Sequence, residues 1–305
     1  MLNVSKISKK YGDQIALENV SFQLKTGKVY GFLGPNGAGK TTAMRIITGY
    51  ITPDSGEVNY GNVSTKNNLT NILRQIGYLP ENNPLYENMR VDEFLHYVNK
   101  IKQADSSKLK NITEECGLDT VLTKEINELS KGYKQRVGLA KALIADPDFL
   151  ILDEPSTGLD PNQKTEILEL IKNAGKQKTI LFSSHILSEV EAIADELIII
   201  NKGEIVASGS AQDISRKHLK GTRVTIELDS PADTIAKLQK LKDVDSAEAI
   251  GKAKQKYNKF EIITQNSEQA CVSIYKLAMK EKWILKELHT EANNLESLFK
   301  KLTTK

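Results

Sequence analysis

An eight-residue segment rich in glycine, GPNGAGKT at residues 34–41, constrains this chain more than any other feature. It matches the phosphate-loop pattern G-x-x-x-x-G-K-[ST], follows the short apolar run Val29–Leu33, and leads into TTAMRIITGY, which has helical character. Glycines let the backbone curl so that several N–H groups converge on one phosphate, and a helix N-terminus adds partial positive charge there. The sequence therefore predicts a strand, a phosphate-binding loop and a helix in succession.

The residues of this loop are our predicted contacts to ATP. Within it, Lys40 should reach the β- and γ-phosphates, and the Thr41 hydroxyl should bind Mg²⁺. The predicted nucleotide-binding residues of the segment are Gly34, Pro35, Asn36, Gly37, Ala38, Gly39, Lys40, Thr41 and Thr42.

Two acidic residues and a histidine follow two later apolar runs. Asp153 and Glu154 come directly after FLIL, and His185 comes directly after TILFSS. Side chains at the carboxyl ends of neighbouring parallel strands lie at one edge of the sheet, beside the phosphate loop. We predict that Asp153 organises Mg²⁺ through water, that Glu154 is the general base for the attacking water, and that His185 contacts the γ-phosphate and that water.

The order of elements predicts an α/β fold with two domains. Antiparallel strands in the first 30 residues are followed by strands that alternate with helices, which is typical of a largely parallel sheet. Residues 1–220 form the predicted ATPase domain, with a helical subdomain at about 85–144. Residues 221–305 read strand, helix, strand, strand, helix, strand and a closing helix, which predicts a small ferredoxin-like α+β domain.

Composition limits the classes of partner. The chain has 305 residues and a net charge of +3, so we expect no nucleic-acid partner. The longest apolar runs, at 149–152 and 197–200, are far shorter than a membrane-spanning helix, and the N-terminus has no apolar core like that of a signal peptide. We therefore expect a cytoplasmic protein whose two cysteines, Cys116 and Cys271, are free thiols.

Taken together, the motifs resemble the nucleotide-binding subunit of ATP-binding cassette (ABC) transporters over about residues 1–220. The resemblance implies a head-to-tail dimer in which each ATP lies between one copy's phosphate loop and the other copy's Ser130 and Gly132. It also implies that Tyr11 stacks on adenine, although Tyr11 alone could equally pack on a hairpin. The motifs, in chain order, are Tyr11, GPNGAGKT, LSKGYKQR (129–136), FLILDEP (149–155), STGLD (156–160) and His185.

The chain departs from the usual family pattern at two places. The signature usually reads LSGGQ, whereas this chain has Lys131 and Tyr133 at the third and fifth positions while keeping Ser130 and Gly132. Glu81, in IGYLPE, stands where most members have a glutamine near Mg²⁺ and the membrane partner. We expect Glu81 to remain a metal ligand through oxygen while adding a negative charge beside the phosphates.

The combination of these motifs with an appended C-terminal domain resembles the exporter branch, and within it the gliding-motility-associated ATP-binding subunit. That resemblance implies an ATPase that powers export, lies on the inner face of the membrane, forms a homodimer or heterodimer, and binds a separately encoded transmembrane permease. The permease would dock near Glu81 and a predicted helical stretch, Asn82–Tyr97, whose apolar residues could equally be core. The alternative function is a soluble cassette ATPase acting on ribosomes or DNA.

Overall fold

The structure is a computed structural model that describes residues 1–61, 63–64, 69–218, 221–229, 233–250, 257–291 and 295–303. It divides into two compact units, Met1–Ser210 and Ala211–Lys305. The predicted domain boundary at 220/221 lies ten residues later than this division. The difference arises because the helix Ala211–His218 packs against the C-terminal helix Leu295–Thr303 and so belongs to the second unit.

The first unit contains ten strands and seven α-helices among its described residues. Its strands are β1 (Leu2–Tyr11), β2 (Gln14–Leu24), β3 (Val29–Leu33), β4 (Ser55–Tyr60), β5 (Val63–Ser64), β6 (Ile76–Leu79), β7 (Phe149–Leu152), β8 (Thr179–Ser184), β9 (Glu196–Asn201) and β10 (Glu204–Gly209). Its helices are α1 (Lys40–Ile47), α2 (Leu69–Arg74), α3 (Val91–Lys102), α4 (Leu109–Glu115), α5 (Lys131–Leu143), α6 (Pro161–Ala174) and α7 (Leu187–Ile193).

A six-stranded sheet forms the centre of this unit, in the order β10-β9-β3-β8-β7-β6. Every pairing in it is parallel except that of β10 with β9. Each residue of β3, β7 and β8 is buried, as expected for a parallel sheet covered on both faces. Because β3, β8 and β7 are neighbours, the segments that follow them lie side by side at one edge of the sheet.

A second, antiparallel sheet in the order β2-β1-β4-β5 packs on the same core. Leu2, Val4 and Ile7 of β1 join Phe32 of the central sheet and Met44 of α1 in one buried cluster. This shared core fixes the hairpin of β1 and β2 against the phosphate loop. It explains how Tyr11, at the end of β1, comes near residues 34–41.

The helical part of the first unit differs from its prediction at the N-terminal side. We predicted helix over Asn82–Tyr97, but the helix begins only at Val91. Residues 80–90 are not helical, and Pro84 explains part of the difference because its ring disfavours helical backbone in the residue before it. Helices α3, α4 and α5 pack on one another.

The second unit has the predicted order of strands and helices. A four-stranded antiparallel sheet in the order β12-β13-β11-β14 packs against α10, which is the ferredoxin-like arrangement. Its elements are α8 (Ala211–His218), β11 (Thr222–Leu228), α9 (Thr234–Leu238), β12 (Ser246–Ile250), β13 (Asn258–Thr264), α10 (Ser267–Glu281), β14 (Leu285–Glu291) and α11 (Leu295–Thr303). In the described parts of both units, no helix is long and apolar enough to cross a membrane.

Candidate nucleotide site

A cavity of about 460 Å³ opens at the edge of the central sheet where β3 and β8 end. It brings together residues that are far apart in the chain, from the first hairpin to the segment after β8. The lining residues are Tyr11, Gln14, Ala16, Asn36, Gly37, Ala38, Gly39, Lys40, Thr41, Thr42, Glu81, Glu154, Thr157 and His185.

The phosphate loop has the backbone that its glycines permit. Gly37 and Gly39 have φ values of 78° and 105°, in the region that other residues rarely adopt. A Cβ on Gly39 would lie only 2.5 Å from the Ala16 carbonyl oxygen, so this position excludes side chains for steric reasons as well. No side chain in the described part of the chain caps the N-terminus of α1. Its first N–H groups therefore remain available to an anion.

Lys40 lies at the base of the cavity and is only 6% exposed. Its Nζ donates hydrogen bonds to the carbonyl oxygens of Gly34, at 2.7 Å, and Pro35, at 3.2 Å. The same ammonium lies 3.3 Å from Oε1 of Glu154. Gly34 and Pro35 do not line the cavity themselves. Their carbonyl oxygens instead accept hydrogen bonds from Lys40, which does line it.

Asp153 is fully buried directly beside the cavity. The Ser183 hydroxyl donates a hydrogen bond to its Oδ1 at 2.7 Å, whereas Oδ2 has no hydrogen-bond partner among the described residues. Burial raises the pKa of Asp153, although the hydroxyl groups of Ser183 and Thr41 act in the opposite direction. A buried carboxylate oxygen without a partner suits a divalent cation or one of the waters around it. Asp153 and the Thr41 hydroxyl therefore fit Mg²⁺ bound together with phosphates.

Glu154 adopts a left-handed backbone conformation, with φ of 48°, which is uncommon for a side-chain-bearing residue and concentrates at functional sites. Its Oε2 accepts hydrogen bonds from His185 Nδ1 and from the Thr157 hydroxyl, each at 2.9 Å. Burial alone would raise the pKa of Glu154. The hydrogen bond from His185, the charge of Lys40 and the Thr157 hydroxyl outweigh burial, so its pKa lies below the ordinary value.

The remaining predicted residues divide between the rim of the cavity and a separate surface. Tyr11, 49% exposed, and Glu81 both line the cavity. Ser130 and Gly132 do not, because they lie at the start of α5, where the Ser130 hydroxyl accepts a hydrogen bond from the Tyr133 N–H. Within one copy of the chain, these two signature residues therefore lie outside the lining of the nucleotide cavity.

Sequence reasoning missed two residues that shape the acidic end of the site. Ser183 bridges the acidic pair, because its hydroxyl accepts from the Glu154 N–H at 2.8 Å and donates to Asp153. Thr157, which was noted only as part of STGLD, donates to the Glu154 carboxylate. Ser183 lies inside a fully buried strand, so an apolar-run analysis has no signal for it beyond the polar pair Ser183–Ser184 itself.

The fold and the cavity define a P-loop nucleotide-binding protein with an added helical subdomain and an acidic strand end. Residues 17–157 match the family model described as ABC transporter. The chain belongs to the family of ABC transporter ATP-binding subunits, because the curated relatives that it matches over more than two thirds of its length are such subunits. Family membership accounts for the signature helix α5 preceding the acidic strand β7, an order that the phosphate loop alone does not require.

Two curated relatives illustrate the range of the similarity. The linearmycin resistance ATP-binding protein LnrL of Bacillus subtilis (strain 168) is 30% identical over 312 residues, which cover 99% of this chain and 98% of that protein. The lantibiotic transport ATP-binding protein SrtF of Streptococcus pyogenes is 39% identical over 210 residues, which cover 68% of this chain and 89% of that protein. The first similarity therefore includes the C-terminal unit.

Solved structures also resemble this chain, over a smaller share of its length. An ATP-binding subunit of an ABC transporter superposes with a TM-score of 0.65 at 31% identity, covering 71% of this chain and 92% of that one. The cassette MJ0796, in a dimeric post-hydrolysis state bound to ADP and Pi, has a TM-score of 0.63 at 25% identity and covers 69% and 98%. The chain is the ATP-binding and hydrolysing subunit of an ABC transporter, and a soluble cassette acting on ribosomes or DNA is not supported.

Proposed function

We propose that this subunit closes on ATP as a head-to-tail dimer, hydrolyses it in the cavity described above, and so powers export through a separately encoded permease. The observation that carries the proposal is the convergence of Lys40, Glu154 and His185 on one cavity beside the phosphate loop. Phosphoryl transfer to water needs a cation that binds phosphate and a carboxylate that accepts a proton from water. Lys40 and Glu154 supply these groups, and the His185 imidazole orients the carboxylate.

Each residue of the site has a separate role. When ATP binds, the Lys40 ammonium turns from the carbonyl oxygens of Gly34 and Pro35 to the β- and γ-phosphates. It does so because an ammonium binds a charged phosphate oxygen more strongly than a neutral carbonyl oxygen. Glu154 accepts a proton from the attacking water, and His185 holds Glu154 by hydrogen bonding to its carboxylate. When bound, Mg²⁺ neutralises charge on the phosphates, and Asp153, Thr41 and Glu81 are the residues that would hold it.

Dimer formation supplies what one copy lacks. Ser130 is exposed at the start of α5 and, with Gly132, lies away from its own cavity. The Ser130 hydroxyl accepts a backbone hydrogen bond and keeps its own proton free to donate to a phosphate oxygen of the partner's ATP. Lys131, beside it, is exposed and adds positive charge to that surface. We propose that either a second copy of this chain or a related subunit supplies the other half.

A second cavity, of about 440 Å³, supports a docking site for the permease. Tyr86 and Tyr97, which are 56% and 42% exposed, stack edge to face along it. Phe94, in contrast, is 2% exposed and belongs to the core. The exposure of the two tyrosines favours a role in docking the permease, whereas Phe94 is an ordinary core residue. An apolar, aromatic cleft of this kind suits a short amphipathic helix of a membrane subunit.

The relatives guide the proposed direction and cargo. They include proteins described as linearmycin resistance, lantibiotic transport, bacitracin transport and Nod factor export ATP-binding proteins. We propose export of an amphipathic small molecule or peptide, with this subunit on the cytoplasmic face of the membrane. The resemblance to the gliding-motility-associated subunit stays a prediction, and a motility assay on a deletion strain tests it.

The test of the proposed function uses Glu154→Gln, with light scattering after size-exclusion chromatography in the presence and absence of ATP and Mg²⁺. We expect hydrolysis to fall by on the order of 10²–10⁴-fold while ATP binding persists, because only the base is lost. The variant should then accumulate as an ATP-dependent dimer. Glu169→Gln, on the exposed side of α6, is the matched control and should behave as the wild type. Wild-type hydrolysis by Glu154→Gln would refute the base assignment.

A further inference from the structure

Glu189, on α7, is a buried carboxylate that the proposed chemistry does not use. It is 7% exposed and does not line the nucleotide cavity. A buried carboxylate is costly unless it is paired and hydrogen-bonded. Its partners therefore show what the fold uses it for.

The partners of Glu189 flank the two reactive side chains. Its Oε2 accepts hydrogen bonds from the Ser156 hydroxyl at 2.7 Å and from the Ser184 hydroxyl at 2.8 Å. Ser156 lies two residues after Glu154, and Ser184 directly precedes His185. One carboxylate oxygen is thus bonded to the segment that carries the base and to the segment that carries its histidine.

Both of these segments are held tightly around the shared carboxylate. The Ser184 hydroxyl also accepts a hydrogen bond from the Ile186 N–H at 3.0 Å. The residues directly before and after His185 are therefore hydrogen-bonded to each other. On the other segment, the Thr157 N–H donates to the Glu154 carbonyl at 3.1 Å, and the Leu159 N–H donates to the Ser156 carbonyl at 3.3 Å. A shift of Ser156 against Ser184 would therefore carry Glu154 away from His185.

The charge of Glu189 has a separate partner. Lys164 Nζ, on α6, lies 3.1 Å from Oε1. Helix α6 begins after Asp160, whose carboxylate accepts from the Gln163 N–H at 2.9 Å and caps the helix. The carboxylate of Glu189 thus links α6, the segment 156–160 and the segment that precedes His185.

We propose that Glu189 is a positioning residue that keeps Glu154 and His185 aligned and ties their alignment to the position of residues 156–160. It acts through Ser156 and Ser184 and touches neither nucleotide nor water. The inference rests on the proposed function, since it concerns how the base and its histidine are held. It further implies that a movement of residues 156–160 on dimer closure reaches the Glu154–His185 hydrogen bond through this carboxylate, in addition to the direct hydrogen bond from Thr157 to Glu154.

The first test is Glu189→Ala, with Glu191→Ala as the matched control because Glu191 is an exposed glutamate on the same helix. We expect the hydrolysis rate of Glu189→Ala to fall by on the order of 10²-fold, as for a small misplacement of a catalytic group. ATP affinity should stay within about twofold, because the phosphate loop is untouched. Adding Ser156→Ala to Glu189→Ala should cost nothing further, since both remove the same bond. Equal rates for the Glu189→Ala and Glu191→Ala variants would overturn the proposal.

A second pair of variants separates positioning from folding. We compare two double variants, each of which carries Lys164→Met. One adds Glu189→Gln and the other adds Glu189→Leu, so both remove the ion pair without leaving an unpaired charge. Only the glutamine keeps an oxygen that accepts from both serines. We expect near wild-type hydrolysis from the glutamine variant and the loss of on the order of 10²-fold from the leucine variant, at matched melting temperatures.

Equal hydrolysis by the glutamine and leucine double variants would overturn the positioning role. Glu154→Gln, measured alongside, keeps the two proposals distinct. If Glu154→Gln is inactive while the two double variants are equal, only the role of Glu189 fails. If Glu154→Gln hydrolyses ATP at the wild-type rate, the base assignment fails, whatever Glu189 does.

Discussion

The Lys40 ammonium lies 3.3 Å from the Glu154 carboxylate, and both residues are more than nine-tenths buried. Lys40, the proposed phosphate-binding residue, and Glu154, the proposed base, thus form an ion pair with each other. A phosphate that draws Lys40 away removes one of the influences that lower the pKa of Glu154. We therefore expect ATP binding to raise the proton affinity of the base at the moment when it has a water to activate.

Replacing Lys40 by methionine should weaken ATP binding. A charge-assisted hydrogen bond is worth about 1.5–3 kcal/mol, which corresponds to a loss of affinity of roughly 10- to 100-fold. Titration with a fluorescent ATP analogue measures the change. Lys25→Met, at an exposed lysine of the same unit, is the control. Unchanged affinity in Lys40→Met would mean that the backbone of the loop binds the phosphates without the lysine.

Thr157→Val should move the acid side of the pH–rate profile to higher pH. The Thr157 hydroxyl is one of the groups that lower the pKa of Glu154. Its loss should therefore let burial raise that pKa.

The same lowered pKa affects the stability of the wild type. Ionised Glu154 stabilises the fold above its ordinary pKa of 4.5, and this contribution is lost as the pH falls through the pKa of the folded state.

The measurement for Thr157→Val is single-turnover hydrolysis across the acid range. Thr165→Val is the matched control, because the Thr165 hydroxyl donates to the Pro161 carbonyl of its own helix and does not line the nucleotide cavity. An acid limb at the same pH in both variants would show that the Thr157 hydroxyl does not tune the base.

The two cysteines should differ in reactivity. Burial raises the pKa of Cys116 to about 12, and its side chain is 1% exposed, so little thiolate forms in the folded protein. Cys271 is only partly buried. We expect iodoacetamide at neutral to mildly alkaline pH to label Cys271 first and Cys116 only after denaturation, as read by peptide mass spectrometry. A Cys271→Ser variant that labels rapidly in its native state would contradict this.

A truncated chain ending at Ser210 should fold and bind ATP as the full chain does. The buried cluster that supports the phosphate loop is drawn entirely from residues between Leu2 and Ile205, and the second unit has its own core. Nucleotide titration and thermal melting test folding and binding.

The same truncation tests the role of the second unit, which we predict to support the dimer or to regulate hydrolysis. Removing residues 211–305 should therefore change ATP-dependent dimerisation, hydrolysis rate or response to the permease. If all three are unchanged, that unit has no such role. Ending the chain at Lys220 instead would keep α8 without its packing partner α11, so we expect that version to be less soluble.

Much of the site was predictable because its signals are local. The glycines of residues 34–41 predict the loop, and the apolar runs before Asp153 and His185 predict strand ends at the same edge of a parallel sheet. Ser183 and Glu189 were not predictable in this way. Each has a partner about 30 residues away along the chain, Asp153 for Ser183 and Ser156 for Glu189. A polar residue within a buried strand or short helix has no periodic signature that separates function from packing.

The sequence by itself determined the phosphate loop, the order of strands and helices, and the identity of the acidic pair, because these depend on backbone freedom and hydrophobic periodicity over a few residues. Only the tertiary structure decided which groups meet. It pairs Lys40 with Glu154, leaves Asp153 Oδ2 without a hydrogen-bond partner among the described residues, and places Ser130 outside the lining of its own cavity. Contacts of this kind depend on how separate elements pack in three dimensions, and local sequence carries no record of those distances.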